Sequence, residues 1–400
     1  MTGGRLRAPR SAGIAISGAQ AYFRHGQRGG AAAVKRQRRI LEGSQGPVIQ
    51  LQGQRVLNFC SNDYLGLASH PALAAAMKKG IDDYGVGSGA SSLVCGYSRA
   101  HTELEQALAA FTRRPRALVF ANGYMANQAL ISTWCGRGDT VFGDRLNHAS
   151  LIDAARLSGA KLRRYRHAEP ASLENLLDTT RTGMRLVCTD GVFSMDGDIA
   201  PLPPIASLCR RYDAMLLVDD AHGFGVLGNG LGGIVDYYGL DAETVPALMA
   251  TFGKALGVYG AFVAGDDALI DRLVQAARPY IYTTALPPAL ACAAFRALEL
   301  IREEPWRAER LQSLIRYFRQ GAGHLDLPLK DSATAIQPLV LGDAEAAVRA
   351  SRALLERDIY IAAIRPPTVP QGTSRLRITL TAAHTEQHID RLLDALAAVI

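Results

Sequence analysis

Between about residues 70 and 265 the chain alternates short apolar runs with stretches of helical period. The runs "RALVF", "TVFGD", "RLVCTD", "AMLLVDD", "PALMATF" and "GAFVAG" are continuous rather than alternating, the pattern of strands covered on both faces. Between them lie segments such as "HTELEQALAAF", where apolar residues recur at helical spacing. Strand and helix taking turns predict an α/β layer structure, a mostly parallel sheet wrapped by helices. After "TTALPP" at 283–288 the pattern changes to long amphipathic helices and then to "AIQPLVLG", "IYIAAI" and "SRLRITL". That change predicts a smaller α+β domain. The expected division is an N-terminal arm and segment over 1–62, a large domain over 63–296 and a small domain over 297–400.

Length supports more than one body, since 400 residues exceed the roughly 250 to 300 at which single cores stop growing. No segment reaches the apolar length of a membrane span, and there is no signal-peptide pattern, so a cytoplasmic protein is expected. The formal charge of +7 suggests nucleic acid until its location is counted. Residues 1 to 40 hold nine Arg and Lys and no acid, leaving 35 basic against 37 acidic groups in the rest. The basic character belongs to the arm, which reads as a solvated extension in preference to a transit peptide. Cysteines at 60, 95, 135, 188, 209 and 292 form no C-x-x-C pair and read as small buried hydrophobes in a reducing compartment.

"MLLVDDAHGFGVLG", residues 215–228, ends a strand in two carboxylates and a histidine and spells G-x-G-x-x-G at Gly223, Gly225 and Gly228. A dinucleotide loop must run straight into a helix that holds the pyrophosphate. Here "NGLGGIVDYYGL" follows, too rich in glycine to open a stable helix, and Asp219 and Asp220 would face the phosphates. A Rossmann cofactor is therefore not expected. Asp219, Asp220 and His222 lack a further ligand cluster for a metal, and Gly253-Lys254 is followed by Ala255, where a Walker loop needs Ser or Thr.

Of the 44 basic side chains only six are lysine, at 35, 78, 79, 161, 254 and 330. Five lie in polar or charged surroundings; Lys254, in "ATFGKALGVYGAF", lies between a buried-looking strand and glycines, where a charge is costly unless something engages it. A Schiff base needs a primary amine, which guanidinium cannot supply. A pyridoxal phosphate enzyme needs that lysine, a carboxylate to keep the pyridine nitrogen protonated, and a phosphate cradle. Asp219 at a strand end is the right group in the right place, and His222 could reach the cofactor's phenolic oxygen. "FANGYMANQAL" offers Asn122, Gly123 and Tyr124 between a strand and a helix, where free N–H groups bind phosphate. His148 in "DRLNHASL" sits between a strand and a helix, suited equally to stacking on a ring, to capping the helix or to a core position.

From about residue 35 onward the sequence resembles the α-oxoamine synthases, fold-type I pyridoxal phosphate enzymes that condense an amino acid with an acyl thioester and lose carbon dioxide. The matching stretches are "NFCSNDYLGLASHP", "GSGASSLVCGYSRAHTELE", "DRLNHASLIDA", "TDGVFSMDGDIAPL", "LLVDDAHGFGVLG", "TFGKALGVYGA" and "TALPP". The double proline after Arg365, in "AIRPPTVPQGTSRLRITLTAAH", is similar to the branch that joins L-alanine to a pimeloyl thioester. The resemblance implies a mostly parallel sheet of the seven-stranded type with a smaller C-terminal α+β domain. It makes Lys254 the Schiff-base lysine, Asp219 the ring-nitrogen partner, His222 the contact to the phenolic oxygen and His148 the stacking group. Ser194 and Thr251 complete the cofactor shell, Arg365 holds the substrate carboxylate, and Arg36 lies near the acyl substrate. It also implies a homodimer in which Thr283 and Thr284 of one chain touch the other chain's cofactor phosphate.

The expected partners are therefore pyridoxal 5'-phosphate, L-alanine and either pimeloyl-CoA or a pimeloyl carrier protein, with no nucleic acid and no membrane. Nothing in the residues decides between the two acyl donors. The nearest rival is a glycine-using sister such as 2-amino-3-oxobutyrate CoA ligase, because a methyl pocket differs from a hydrogen pocket by only about 1 to 3 kcal/mol. A nucleic-acid-binding protein using its basic arm is the rival of another class, without a helix-turn-helix or zinc pattern to support it.

Overall fold

The computed structural model describes residues 38–400, and the elements below belong to the unit Leu41–Ile400. The described chain opens on three short strands, β1 (Leu41–Glu42), β2 (Val48–Leu51) and β3 (Gln54–Asn58), joined antiparallel. The sequence reading placed no strands here. Helices α1 (Pro71–Tyr84) and α2 (Arg99–Phe111) then lead into the main sheet.

That sheet contains β4 (Arg116–Phe120), β5 (Thr140–Asp144), β6 (Lys161–Tyr165), β7 (Arg185–Asp190), β8 (Met215–Asp219), β9 (Ala247–Thr251) and β10 (Ala261–Gly265). Its order is β4-β10-β9-β8-β7-β5-β6, and only β10 runs against its neighbours. The mostly parallel, seven-stranded α/β fold read from the sequence is the fold observed.

Each apolar run is continuous because both of its faces are buried. Leu186, Cys188, Leu217 and Met249 belong to one core, shared with helices α3 (Gly123–Trp134) and α4 (Ala149–Ser158). The intervening Val187, Leu216, Val218 and Leu248 belong to another, shared with α5 (Pro170–Asp178) and α6 (Leu202–Arg211). Successive side chains on a strand point to opposite faces, so a sheet between two helical layers needs apolar residues at every position. At the carboxyl ends of the parallel strands the pattern stops: β5, β7 and β8 end on Asp144, Asp190 and Asp219. Open α/β sheets gather ligands at that edge.

Beyond the sheet, the four-residue α7 (Ile234–Tyr237), α8 (Asp267–Ala276) and α9 (Arg278–Ile281) precede two long helices, α10 (Pro288–Glu303) and α11 (Trp306–His324). There follow β11 (Ile336–Gly342), α12 (Ala344–Leu355), β12 (Ile359–Tyr360), β13 (Ala362–Ile364), β14 (Ser374–Thr379) and α13 (Glu386–Val399). The run "IYIAAI" divides between two sheets: β12 pairs in parallel with β3, whereas β13 joins the antiparallel sheet β11-β14-β13. Among the described residues no helix is long and apolar enough to cross a membrane.

None of the six cysteines forms a disulfide, and they are not uniformly buried. Cys135, Cys188 and Cys209 lie in the core, Cys60 and Cys292 are half-buried, and Cys95 is exposed on the π-helical turn Ser92–Gly96. A short turn has too little surface to enclose its own side chains, which an apolar preceding residue does not reveal.

Candidate active site

Lys254 follows β9 on a tight turn whose backbone is closed by a bond from Gly257 N to Lys254 O of 2.9 Å. Gly257 has φ +66°, and a Cβ there would lie 2.4 Å from Ala68 N, so the turn packs directly on the 67–68 backbone. The turn aims the lysine into a cavity of about 170 Å³ at the carboxyl edge of the sheet. Gly123, Tyr124, His148, Ser194, Asp219, His222 and Thr251 line the same cavity. Eight sequence-predicted residues, drawn from five segments of the chain, thus meet at one place.

Asp219 is the last residue of β8 and is buried. Its Oδ2 accepts a hydrogen bond from Asn127 Nδ2 at 2.7 Å and its Oδ1 one from Ala221 N at 3.1 Å. Burial lowers the pKa of Lys254, against the pull of Asp219 and Asp190. The amine is less basic than an ordinary lysine and correspondingly easier to use as a base or nucleophile. Burial also lowers the pKa of His222 well below its usual value, with Lys254 adding to the effect, so the imidazole is neutral. Its Nδ1 lies 2.6 Å from the hydroxyl of buried Tyr64.

His148 caps α4, its Nδ1 accepting from Ser150 N, and lines the cavity as well, so the capping and site roles coincide. Asn122 caps α3 by accepting from Met125 N at 3.0 Å. The first-turn amides of Gly123 and Tyr124 have no carbonyl one turn earlier to bond. Thr283 and Thr284 lie outside this cavity and line another, with Ser92, Tyr97 and Glu105. Arg365 follows the end of β13 and does not line the Lys254 cavity. Arg36 and the basic arm of residues 1–34 lie outside the described residues.

Two of the G-x-G-x-x-G glycines, Gly223 and Gly228, pack against the protein's own carboxylates, Asp220 and Asp236, and the third, Gly225, against Ala255 and Ile301. A Cβ on Gly223 would stand 2.2 Å from Asp220 Oδ1. Asp220 is fully buried, and its Oδ2 accepts from Ile234 N at 2.7 Å, which starts α7. A carboxylate at the helix N-terminus does here what a pyrophosphate does in a dinucleotide fold.

Four participants escaped the sequence reading. Asp190 carried the strand-end signal that marked Asp219; its Oδ2 accepts from His148 N at 3.0 Å, and its buried Oδ1 has no protein partner. Asn127 is a buried amide in an apolar helix, a signal that "YMANQAL" shows. Tyr64 and Arg377 carry no local signal, because their partners are far away in the chain. Buried Arg377 donates from Nε to Ser194 O at 2.6 Å and reaches Asn62 Oδ1 at 3.1 Å, and its charge lowers the pKa of both Lys254 and His222.

A half-buried lysine amine lining one cavity with a strand-end carboxylate and two histidines, on a seven-stranded α/β sheet, defines the aminotransferase-type class. The profile described as "Aminotransferase class I and II" matches residues 54–396. Proteins named 8-amino-7-oxononanoate synthase are similar over most of their length. One from Nitrosococcus oceani is 58% identical over 365 residues, 91% of this chain and 97% of that one. One from Pseudomonas putida is 58% identical over 367 residues, 92% of this chain and 94% of its own. Among solved structures, a serine palmitoyltransferase from S. paucimobilis with bound PLP superposes with TM-score 0.88 at 32% identity, covering 90% of this chain and 92% of that one. An 8-amino-7-oxononanoate synthase from Francisella tularensis superposes with TM-score 0.76 at 34% identity, covering 86% and 97%. The chain belongs to the 8-amino-7-oxononanoate synthases, acyltransferases of biotin biosynthesis within the pyridoxal phosphate-dependent aminotransferase fold.

Proposed function

We propose that this chain joins L-alanine to a pimeloyl thioester, releasing the thiol and carbon dioxide, with pyridoxal phosphate held in the Lys254 cavity. The observation that carries this reading is the meeting of a burial-weakened lysine amine and the buried Asp219 carboxylate in one cavity. The donor set fits the cofactor group by group. The first-turn amides of Gly123 and Tyr124 suit its phosphate, the Asp219 carboxylate its ring nitrogen, His222 its phenolic oxygen and His148 its ring face. Thr283 and Thr284 serve the phosphate in the partner chain of a homodimer. Bound, pyridoxal phosphate supplies an electron-accepting ring that weakens the bonds at the amino acid's Cα.

Lys254 then acts as general base and takes the Cα proton, a role its lowered pKa favours. The Cα electron pair forms a bond to the thioester carbon, and the C–S bond breaks to release a thiolate that takes its proton from solvent. The carboxylate leaves as carbon dioxide, and Lys254 returns a proton to Cα. Arg365 holds the amino acid's carboxylate during the first step, and Arg36 serves the acyl substrate.

The test is thiol release by the full-length protein supplied with pyridoxal phosphate. Release from pimeloyl-CoA or pimeloyl carrier protein with L-alanine is expected. Release from acetyl-CoA with glycine, and none from the pimeloyl donors, would move the chain to the glycine-using branch.

A further inference from the structure

His148 and Asp219 both line the Lys254 cavity, and a chain of hydrogen bonds joins them through two residues given no role in the chemistry proposed above. Asn127 Nδ2 lies 2.7 Å from Asp219 Oδ2 and 2.9 Å from Ser150 Oγ. Ser150 Oγ lies 2.7 Å from His148 Nδ1, and Ser150 N donates to the same nitrogen at 3.3 Å. Asn127 and Ser150 are both buried, at 0% and 1% exposure, so water does not substitute for either link.

The direction of every link can be worked out from donor chemistry. A carboxylate only accepts, so the Asn127 amide must present its nitrogen to Asp219. The flipped amide would set oxygen against oxygen. With one N–H on Asp219, the second goes to Ser150 Oγ, which spends an acceptor site on it and keeps its own O–H to give. A backbone N–H only donates, so His148 Nδ1 is an acceptor toward Ser150 N, and the Ser150 hydroxyl donates to the same lone pair. The imidazole proton is therefore on Nε2. Asn127 Oδ1 is left buried without a partner. That unmet acceptor is the cost of committing both amide hydrogens, one to Asp219 and one to Ser150.

We propose that Asn127 and Ser150 are positioning residues that bind His148 and Asp219 into one hydrogen-bonded unit, fixing His148 as the Nε2–H tautomer and holding the Asp219 carboxylate in its orientation. Asp219 accepts from Asn127 on Oδ2 and from Ala221 N on Oδ1, which fixes the carboxylate where it lines the cavity. His148 is held in one tautomer at the cavity wall. A change at either end is carried to the other through two side chains that do not line up by sequence spacing. The cofactor part of this proposal rests on the reading of the previous subsection, whereas the tautomer part does not.

Histidine nitrogen NMR on the full-length protein, with and without pyridoxal phosphate, reads the tautomer directly. His148 should show a protonated Nε2 and a bare Nδ1 in both states. An Nδ1–H tautomer in the unmodified protein would overturn the proposal, with no variant needed. Pyridoxal phosphate affinity then tests the coupling. Ser150→Ala and Asn127→Ala should each weaken binding by about 10-fold to 100-fold, the range of one hydrogen bond in a charge-linked network. The double variant should be no weaker than the worse single one. Losses that multiply would mean independent residues and sink the idea of a unit. Failure of the unmodified protein to bind pyridoxal phosphate at all would overturn the cofactor reading instead, leaving the tautomer result to stand or fall by itself.

Discussion

At the residue scale, the site works because burial and pairing act on its groups in opposite directions. Lys254 loses basicity through burial, with Asp219 and Asp190 opposing the effect. Tyr64 is pushed up to about 12 by burial, so it keeps its proton and can give it to His222 Nδ1. Replacing Lys254 with Ala should abolish thiol release while leaving fold and assembly intact; circular dichroism and size-exclusion chromatography check the second half, and steady turnover by the variant would refute the assigned role. How much of this was legible depends on where each residue's meaning comes from. Lys254 and Asp219 stand out locally, one as an amine amid apolar residues and glycine, the other as an acid ending an apolar strand. Arg377 and Tyr64 acquire their meaning only from Asn62 and His222, which folding brings to them. Residue type and spacing carry no trace of such contacts.

At the element scale, a histidine latch holds the site's loop. His167 Nδ1 lies 2.9 Å from Asp144, at the end of β5, and its Nε2 lies 2.9 Å from Asp198, in the loop after β7 that carries Ser194. Burial pushes this imidazolium down, but the two carboxylates outweigh it and hold it up at about 10. The folded value therefore exceeds the ordinary histidine value of about 6.5. By linkage, the stabilisation is fully present below that ordinary value and is lost as pH rises toward 10. His167→Asn should thus be clearly less stable than the unmodified protein near pH 6, with the gap narrowing by pH 10. Denaturant melts at both pH values test this, and a gap that stays constant would show that the charge does not contribute. The strands of the main sheet were readable because two-sided burial writes an uninterrupted apolar run. The hairpin of β2 and β3 was not, since its strands are short and mixed, and its turn uses Gln52 at φ 53° beside Gly53 at φ 83°. The split of "IYIAAI" was equally hidden, because both halves are apolar and only their pairing partners differ.

At the scale of the whole molecule, the exposed apolar residues argue for an assembly. Val86, Val94 and Tyr282 are 79%, 77% and 71% exposed, and they flank the segments that carry Ser92, Tyr97, Thr283 and Thr284 around their shared cavity. Large exposed apolar side chains close together mark an interaction surface. A second copy of this chain placed there would bring Thr283 and Thr284 to a site other than their own, which fits their separation from Lys254 within one chain. Each active site would then need two chains, and two differently broken chains could repair each other. Lys254→Ala and a Thr283→Ala, Thr284→Ala double variant should each be impaired alone. Unfolded and refolded together in equal amounts, about a quarter of the sites are expected to be whole under random pairing, because half of the dimers are mixed and a mixed dimer places both lesions in one site and leaves the other intact. Thiol release that rises above the sum of the separate variants is the expected outcome. No rise, in a mixture shown by mass to contain the mixed dimer, would place the threonines at their own chain's site and remove the need for a partner.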